Sequence, residues 1–293
     1  MPSLFVIDTR DIESKELTAM KSIVWLASYP KSGNTWLRAF LANYVRNSDE
    51  PVPINKFHHL GIGDSNANAY RMVSKEPFDG NNPVQCAKLR NAVLRGIVNN
   101  KADVNFVKTH NENGFAFGAK LIPPELTRSA IYIMRNPLDM ILSYASHYAL
   151  SIDEAIFAVG SREHSIPGGA NNAYQFLGNW SNHVIGWTKA RKFKVLTLRY
   201  EDMLADPHDA FARVIHNIGL PDEPDRLERA VRFSDFKLLS EQENKAKFIE
   251  NSDNQKRFFR KGTSGQWKAE LTSDQIDEIT KAHASVMKKY GYL

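Results

Sequence analysis

Residues 29–36, YPKSGNTW, combine residue types that bind a phosphate or sulfate group. The segment lies between an apolar run and a helical pattern, so its glycine-containing turn presents backbone N–H groups at a helix N-terminus, where partial positive charge favours an anion. Lys31 adds a full charge, and Ser32 and Thr35 add hydroxyl donors. Lys31 precedes Gly33 by two residues, unlike the lysine of G-x-x-x-x-G-K-[ST], which argues against ATP hydrolysis. Taken alone, the segment could equally be an ordinary strand-to-helix turn with a chance lysine.

Four further segments carry polar side chains that suit the same anion. KTH at 108–110 places Lys108 and His110 on one face of a strand, because alternate strand residues point the same way. The other three are RNPLDMILS (135–143), RYEDM (199–203) and RKGTSGQW (260–267). Open α/β sheets bind ligands at the carboxyl ends of their parallel strands. We therefore expect the segments that follow strands to form one site.

The elements that must position these residues are apolar runs of strand length and amphipathic helices. The runs SIVWLAS (22–28), VNFVK (104–108), AIYIM (130–134) and FKVLTLR (193–199) are continuously hydrophobic, as is typical of parallel strands covered on both faces. Apolar residues at three- and four-residue spacing predict helices over 37–45, 138–148 and 211–218. The sequence thus predicts an α/β fold, a single domain with a central parallel sheet flanked by helices.

Four long segments show little periodicity: 48–100, 111–127, 151–175 and 240–266. Loops of this length in a compact domain usually bind ligands. Because neither an internal repeat nor a linker is visible, we expect one domain over 20–293. Residues 1–19 are then an N-terminal extension that could be dispensable.

Composition excludes several other classes of protein. The 293 residues are 42% hydrophobic and 24% charged, which is typical of a soluble globular chain. A single cysteine, Cys86, cannot form an intramolecular disulfide and favours a reducing compartment, so we expect a cytoplasmic location. No apolar run approaches the roughly 20 residues of a membrane helix. The formal charge of +5 suits a polyanionic ligand.

In order along the chain, YPKSGNTW, VKTH, RNPLDMILS, RYEDMLADP and RKGTSGQWK resemble the motifs of the sulfotransferase family, in particular its cytosolic type. Members move a sulfuryl group from 3′-phosphoadenosine 5′-phosphosulfate (PAPS) to an acceptor, leaving adenosine 3′,5′-bisphosphate (PAP). The match covers residues 23 to about 293, and we expect a bacterial member. The resemblance implies sulfuryl transfer to a hydroxyl or amine of a small molecule by in-line displacement, with a P-loop-like loop for the phosphosulfate and without a metal.

The resemblance also implies roles for individual residues. Lys31, Lys108 and His110 would be catalytic, with His110 as general base, a role that neutral imidazole suits at physiological pH. Alternatively, His110 merely caps its strand through a hydrogen bond. The residues implied in cofactor binding are Lys31, Ser32, Gly33, Asn34 and Thr35 at the phosphosulfate, Trp36, Tyr200 and Phe236 at the adenine, and Arg135, Ser143, Arg260, Lys261 and Gly262 at the 3′-phosphate.

The sequence defines the acceptor and the oligomeric state less well than it defines the cofactor. We expect a small-molecule acceptor, no nucleic acid and no membrane. A homodimer stays open, since KAELTSDQID (268–277) matches the family's dimer motif only loosely. The acceptor would be bound by 48–100 and 151–175. Six aromatic residues either line its pocket or pack in the core: Phe57, Phe78, Phe115, Phe117, Tyr144 and Tyr148.

Two other functions compete with sulfuryl transfer. A kinase needs Mg²⁺-binding carboxylates and a phosphate-loop lysine after the glycine, and neither is visible. A basic adaptor for polyanions would use KRFFRK (256–261) as a nucleic-acid patch, but this function leaves the KTH and RNP motifs unexplained.

The remaining polar residues have ordinary structural interpretations. The histidines lack the spacing of metal ligands. Glu201 and Asp202 fit helix capping, and His147 either faces the acceptor or packs internally.

Overall fold

The computed structural model describes residues 22–251 and 257–293, so the predicted extension at 1–19 lies outside the described residues. The strands are β1 (Ser22–Ser28), β2 (Gly61–Gly63), β3 (Val104–Thr109), β4 (Phe115–Ala116), β5 (Ala119–Lys120), β6 (Thr127–Met134), β7 (Ser165–Ile166), β8 (Gln175–Phe176) and β9 (Lys194–Arg199). The helices are α1 (Asn34–Arg46), α2 (Ala67–Val73), α3 (Pro83–Val98), α4 (Pro137–Tyr148), α5 (Ile152–Gly160), α6 (Trp180–Thr188), α7 (Tyr200–Ala205), α8 (Pro207–Ile218), α9 (Pro224–Phe233), α10 (Phe236–Lys245), α11 (Trp267–Glu270) and α12 (Ser273–Lys289). Two short 3₁₀ helices cover Ile54–His59 and Pro124–Leu126.

Five parallel strands form the central sheet in the order β2-β3-β1-β6-β9. Ala27 of β1 lies opposite Thr109 of β3, and Met134 of β6 lies opposite Arg199 of β9. This register brings the carboxyl ends of the strands to one edge of the sheet. The prediction of a central parallel sheet flanked by helices is confirmed.

Both faces of the sheet are covered, which explains why its strands are continuously apolar. Trp25 packs into a core shared with α4, α6 and α12, whereas Val24 and Leu26 pack into a second core with α1 and α8. Alternate residues of β1 thus bury themselves on opposite faces. The helix predicted over 211–218 ends at Gly219, whose left-handed φ of 81° closes α8.

The prediction that 48–100 is mainly loop is wrong. α3 occupies sixteen residues of this segment and starts from an Asn82 side chain that accepts a hydrogen bond from the Gln85 N–H, with Pro83 in the first turn. Its buried face includes Arg90, whose charge interrupts the apolar pattern. α2 and α5 likewise lie within segments predicted as loops. Among the described residues, no helix is long and apolar enough to cross a membrane.

Candidate active site

A cavity of about 620 Å³ opens at the edge of the sheet where the parallel strands end. It is lined by the following residues predicted from the sequence: Lys31, Gly33, Asn34, Thr35, Trp36, Lys108, His110, Arg135, Ser143, Tyr200, Phe236, Arg260, Lys261 and Gly262. Ser32 belongs to the same predicted set but is fully buried and does not line the cavity. The structure therefore brings together residues that are up to 231 positions apart in the chain, Lys31 and Gly262 being the extremes (262 minus 31).

The loop between β1 and α1 has the backbone geometry of an anion-binding turn. Lys31 and Gly33 adopt left-handed φ values of 67° and 109°. A side chain at Gly33 would also meet the Tyr200 ring at 2.8 Å, so both the backbone conformation and the lack of space require glycine here. No side chain caps the start of α1, while the Asn34 amide ties the helix to β1 by donating to the Leu26 carbonyl at 2.9 Å. The N-terminus of α1 thus keeps its positive end for a ligand.

Several buried polar atoms around this loop have no hydrogen-bond partner within the part of the chain that the structure describes. They include Lys31 Nζ, Ser32 Oγ, Trp36 Nε1 and Arg135 Nε. Burying an unpaired donor is costly, so such atoms are rare in folded proteins unless a ligand pairs them. A cluster dominated by donors suits a ligand rich in acceptor oxygens.

Lys31 is a buried cation of the cavity whose pKa is strongly lowered. Its ammonium lies 3.9 Å from the centre of the Phe258 ring. Burial, and then repulsion from Lys108, Arg135 and Arg260, lowers the pKa of Lys31 to about 7. Lys31 is therefore only partly charged near neutral pH, and a bound anion would favour its charged form.

Arg135 joins three of the segments that line the cavity. Its guanidinium donates to the Lys31 carbonyl and to the Thr263 carbonyl, both at 3.2 Å. The same group lies 4.4 Å from the centre of the Tyr200 ring. Arg135 thus bridges the loop after β1, the start of α7 and the loop before α11.

Hydrogen bonds to Asp139 also fix that late loop against the rest of the site. Asp139 of α4 accepts the Gly265 N–H at 2.6 Å and the Trp267 N–H at 3.2 Å. Gly262 has a left-handed φ of 62°, and a side chain there would clash with the Phe236 ring at 2.4 Å. The motifs RNPLD and RKGTSGQW are therefore coupled directly.

The capping role expected for Glu201 is wrong. Its carboxylate accepts the Asn136 N–H at 2.9 Å and the Tyr292 hydroxyl at 3.1 Å. Glu201 thus supports the residue after Arg135, and Asp202 pairs with Arg199 at 3.7 Å instead. The error arose because a carboxylate in the first turn of a helix is compatible with both roles.

His110 is oriented as a neutral imidazole. Its Nδ1 lies 2.8 Å from the Ser28 carbonyl, and because a carbonyl only accepts, Nδ1 carries the proton and Nε2 has a free lone pair. Burial, followed by repulsion from Lys108, holds the pKa of His110 well below its usual range. His183 further anchors the segment by donating from Nε2 to the His110 carbonyl at 3.1 Å.

Sequence reasoning missed an ion-pair network beside Lys108. The two terminal nitrogens of Arg38 each lie 2.7 Å from a carboxylate oxygen of Glu250, and Lys108 Nζ lies 3.1 Å from the same carboxylate. Although burial opposes ionisation, Lys108 and Arg38 hold the pKa of Glu250 well below its usual range. Arg38 follows Thr35 by one helical turn and could have been found from that spacing. Glu250 lies in a segment without a pattern and carries no such signal.

Of the six aromatic residues expected either in an acceptor pocket or in the core, Tyr148 lines the cavity. The others are buried in a core, packed elsewhere or exposed: Phe57, Phe78, Phe115, Phe117 and Tyr144. His147 also lines the cavity, with its ring 4.8 Å from that of Tyr148. Within 22–251 and 257–293, no group of three His, Cys, Asp or Glu residues is placed to hold a metal ion.

Comparisons with known proteins agree with this architecture. Residues 21–291 match the family model of the sulfotransferase domain. The flavonol 3-sulfotransferase of Flaveria bidentis is 27% identical, with 94% of this chain and 85% of the relative covered. Sulfotransferase 1C2 of Rattus norvegicus is 25% identical, with 87% and 81% covered.

Two solved structures share the fold. Mouse sulfotransferase SULT7A1 complexed with PAP has a TM-score of 0.60 at 19% identity, over 92% of this chain and 85% of that one. Retinol dehydratase in complex with androsterone and PAP has a TM-score of 0.64 at 18% identity, over 92% and 81%. The chain therefore belongs to the sulfotransferase family, and the prediction of a PAPS-dependent sulfotransferase is confirmed.

Proposed function

We propose that this enzyme transfers the sulfuryl group of PAPS to a hydroxyl of a small-molecule acceptor, by in-line displacement with His110 as general base. The observation that carries the proposal is the cluster of unpartnered buried donors around the β1–α1 loop, beside a neutral imidazole whose Nε2 is free to accept a proton. Family membership supports the same reaction.

The cavity suits each part of PAPS. Lys31, Ser32, Gly33, Asn34 and Thr35 would hold the 5′-phosphosulfate; Trp36, Tyr200 and Phe236 would hold the adenine; and Arg135, Ser143, Arg260, Lys261 and Gly262 would hold the 3′-phosphate. The solved structures of retinol dehydratase and SULT7A1 contain PAP, which supports this nucleotide.

The chemistry requires one proton transfer and one displacement. His110 Nε2 takes the proton as the acceptor oxygen forms its bond to sulfur, while the bond from sulfur to the bridging oxygen breaks and PAP leaves. Lys31 stabilises the charge that develops on the bridging oxygen. Lys108 stabilises the sulfuryl oxygens, and its contact with Glu250 uses one of the three N–H groups of the ammonium.

We further propose that residues 20–293 act as one sulfotransferase domain whose acceptor side comes from 48–100 and 151–175. Ser65 and Asn172, one from each segment, line the cavity and support this division. A homodimer and a cytoplasmic location stay predictions.

Ligand-induced stabilisation tests the nucleotide directly. PAP at about 100 times its dissociation constant should stabilise the protein by roughly 2.7 kcal/mol, because it binds the folded state alone. The melting temperature should rise in EDTA, since all the proposed contacts to the nucleotide are made by protein groups and none requires a metal ion. ATP under the same conditions is the control. A larger shift with ATP and Mg²⁺ than with PAP would favour a kinase instead.

Nucleotide binding should also take up a proton. With a pKa of about 7, Lys31 is mostly neutral at pH 8 in the free protein, and a bound anion raises its pKa, so binding should absorb up to about one proton. The phosphates contribute little at this pH because their own pKa is near 6. Calorimetric titration in two buffers of different ionisation enthalpy measures the uptake.

The matched control for proton uptake is Lys31→Arg, because a guanidinium stays charged throughout. Its titration should be independent of the buffer. Equal uptake by the variant and the parent protein would assign the proton to another group.

A further inference from the structure

We propose that the acceptor is a neutral, hydroxyl-rich molecule such as a sugar ring or glycoside, bound by an amide wall that consists of Ser65, Asn66, Asn172 and Gln175. All four residues line the cavity. The inference rests on the proposed function, because it assumes that His110 marks the position of the acceptor oxygen.

The first half of the amide wall lies beside the catalytic strand. Gly63 of β2 pairs with Lys108 of β3, and the Asp64 N–H donates to the Lys108 carbonyl at 3.0 Å. Asn66 therefore lies two residues after Asp64, whose backbone contacts the KTH motif directly. This contact places it on the side of the cavity that holds His110.

The second half is attached to the residues that follow His110. The Phe176 N–H donates to the Asn111 side-chain oxygen, and the Glu112 N–H donates to the Phe176 carbonyl, both at 2.9 Å. Gln175 precedes Phe176 and is largely buried while still lining the cavity. Its amide is thus held next to the segment of the general base.

The two halves are joined to each other through the backbone. Asn66 and Asn172 form an isolated antiparallel bridge, and the Ala173 N–H donates to the Ser65 carbonyl at 2.7 Å. The amide wall is therefore set in place before an acceptor arrives. Pre-organised polar groups favour ligands that match them and lose less entropy on binding.

Charge argues for a hydroxyl rather than an ammonium group. Lys31, Lys108, Arg38 and Arg135 all line the cavity, whereas the carboxylate of Glu250 is already engaged by Arg38 and Lys108. Asp139, the other carboxylate among the described lining residues, accepts the Gly265 and Trp267 N–H groups, so neither carboxylate is free to pair with an ammonium group.

The Asn66 side-chain oxygen caps α2 by accepting the Asn68 and Ala69 N–H groups, so Asn66 offers its NH2 group to a ligand. The amides of Asn172 and Gln175 can both donate and accept hydrogen bonds, as can the hydroxyls of a neutral polyol.

The side of the cavity next to β6 is aromatic. β3 and β6 flank β1 on opposite sides, and α4, which follows β6, contributes His147 and Tyr148. The Tyr148 ring lies 4.5 Å from that of Tyr144 and 4.8 Å from that of His147. An aromatic surface packs against the C–H face of a sugar ring while the hydroxyl groups at its rim reach the amide wall.

The test compares 4-nitrophenol with a panel of neutral 4-nitrophenyl glycosides, which carry the same aryl group but no phenolic hydroxyl. With PAPS as donor, we expect kcat/KM for at least one glycoside to exceed that for 4-nitrophenol tenfold or more. Gln175→Leu and Asn172→Leu should each lower that ratio at least tenfold, because they remove amide partners of the hydroxyls. Asn91→Leu, which changes an exposed amide of α3 outside the cavity, is the matched control.

Preference for 4-nitrophenol over every glycoside, or sulfation of none of them, would overturn the proposal. So would a ratio in both leucine variants equal to that of the parent protein. Gln175 is largely buried, and the exposed Asn172 keeps the test valid if Gln175→Leu fails to fold. The PAP-induced thermal shift is measured in the same samples: if it persists and 4-nitrophenol is sulfated while the glycosides fail, the acceptor class is wrong and the proposed transferase function stands.

Discussion

His110→Ala is expected to lower kcat by roughly 10² to 10⁴ while the protein stays folded and binds PAP. An alcohol is a poor nucleophile until its proton leaves, and His110 is the imidazole that the structure holds neutral at the end of β3. The Ser28 carbonyl occupies Nδ1, so Nε2 is the atom that takes the proton. Steady-state turnover with PAPS and the best acceptor gives the rate, and the PAP-induced thermal shift reports folding and nucleotide binding.

His216→Ala is the control for the loss of a histidine, since His216 is exposed on α8 and does not line the cavity. It should leave kcat as in the parent protein. The loss in His110→Ala should also shrink for phenols of low pKa, whose proton leaves without help. Turnover of an alcohol near the parental rate in His110→Ala would reduce His110 to the strand-capping role that the sequence alone left open.

The strands could be predicted because burial on both faces leaves a strong imprint on the sequence. The apolar run predicted at 22–28 matches β1 in full, because its residues pack alternately into the two cores on opposite faces of the sheet. The cavity residues that directly follow these strands could be predicted once the strands were recognised. Once four parallel strands are recognised, their carboxyl ends have to meet at one edge.

The segments that lie outside the regular strands and helices of the sequence pattern could not be predicted in this way. β2 has three residues, two of them glycines, and is held by its pairing with β3 rather than by apolar side chains. Arg90 is buried because Asp64 lies 2.6 Å from its guanidinium, a partner 26 positions away that no local pattern reveals. Glu250 is likewise defined by Arg38 and Lys108, which lie far from it in the chain. Long-range polar pairs of this kind leave no periodic signal.

Lys31 and Arg135 line the same cavity but should affect different kinetic quantities when they are replaced. Lys31→Ala is expected to lower kcat by about 10² to 10³, more than it weakens PAP binding, because Lys31 meets charge that develops only as the S–O bond breaks. Arg135→Ala is expected to raise the Kd of PAP by about 10- to 100-fold with a smaller effect on kcat, because a hydrogen-bonded charge pair is made equally in the ground state.

A pair of ligands makes this division measurable. PAP carries a 3′-phosphate and adenosine 5′-monophosphate does not, so the ratio of their Kd values reports the grip on that group. Arg135→Ala should collapse this ratio, whereas Lys31→Ala should preserve it. Arg199→Ala is the matched control, because Arg199 ends the neighbouring strand opposite Met134 and lies over the Tyr292 ring outside the cavity.

Since Arg135 also bridges the Lys31 and Thr263 carbonyls, part of its effect will come from loosening the two loops. Arg135→Lys separates the two contributions: it keeps the charge but loses the planar fork that spans both carbonyls. If the lysine restores the PAP preference, the charge at the 3′-phosphate dominates; if it behaves as alanine does, the planar fork of the guanidinium is required, either at the phosphate or between the two loops. Equal losses of kcat and PAP affinity in both Lys31→Ala and Arg135→Ala would refute separate roles and make the two cations a single electrostatic unit.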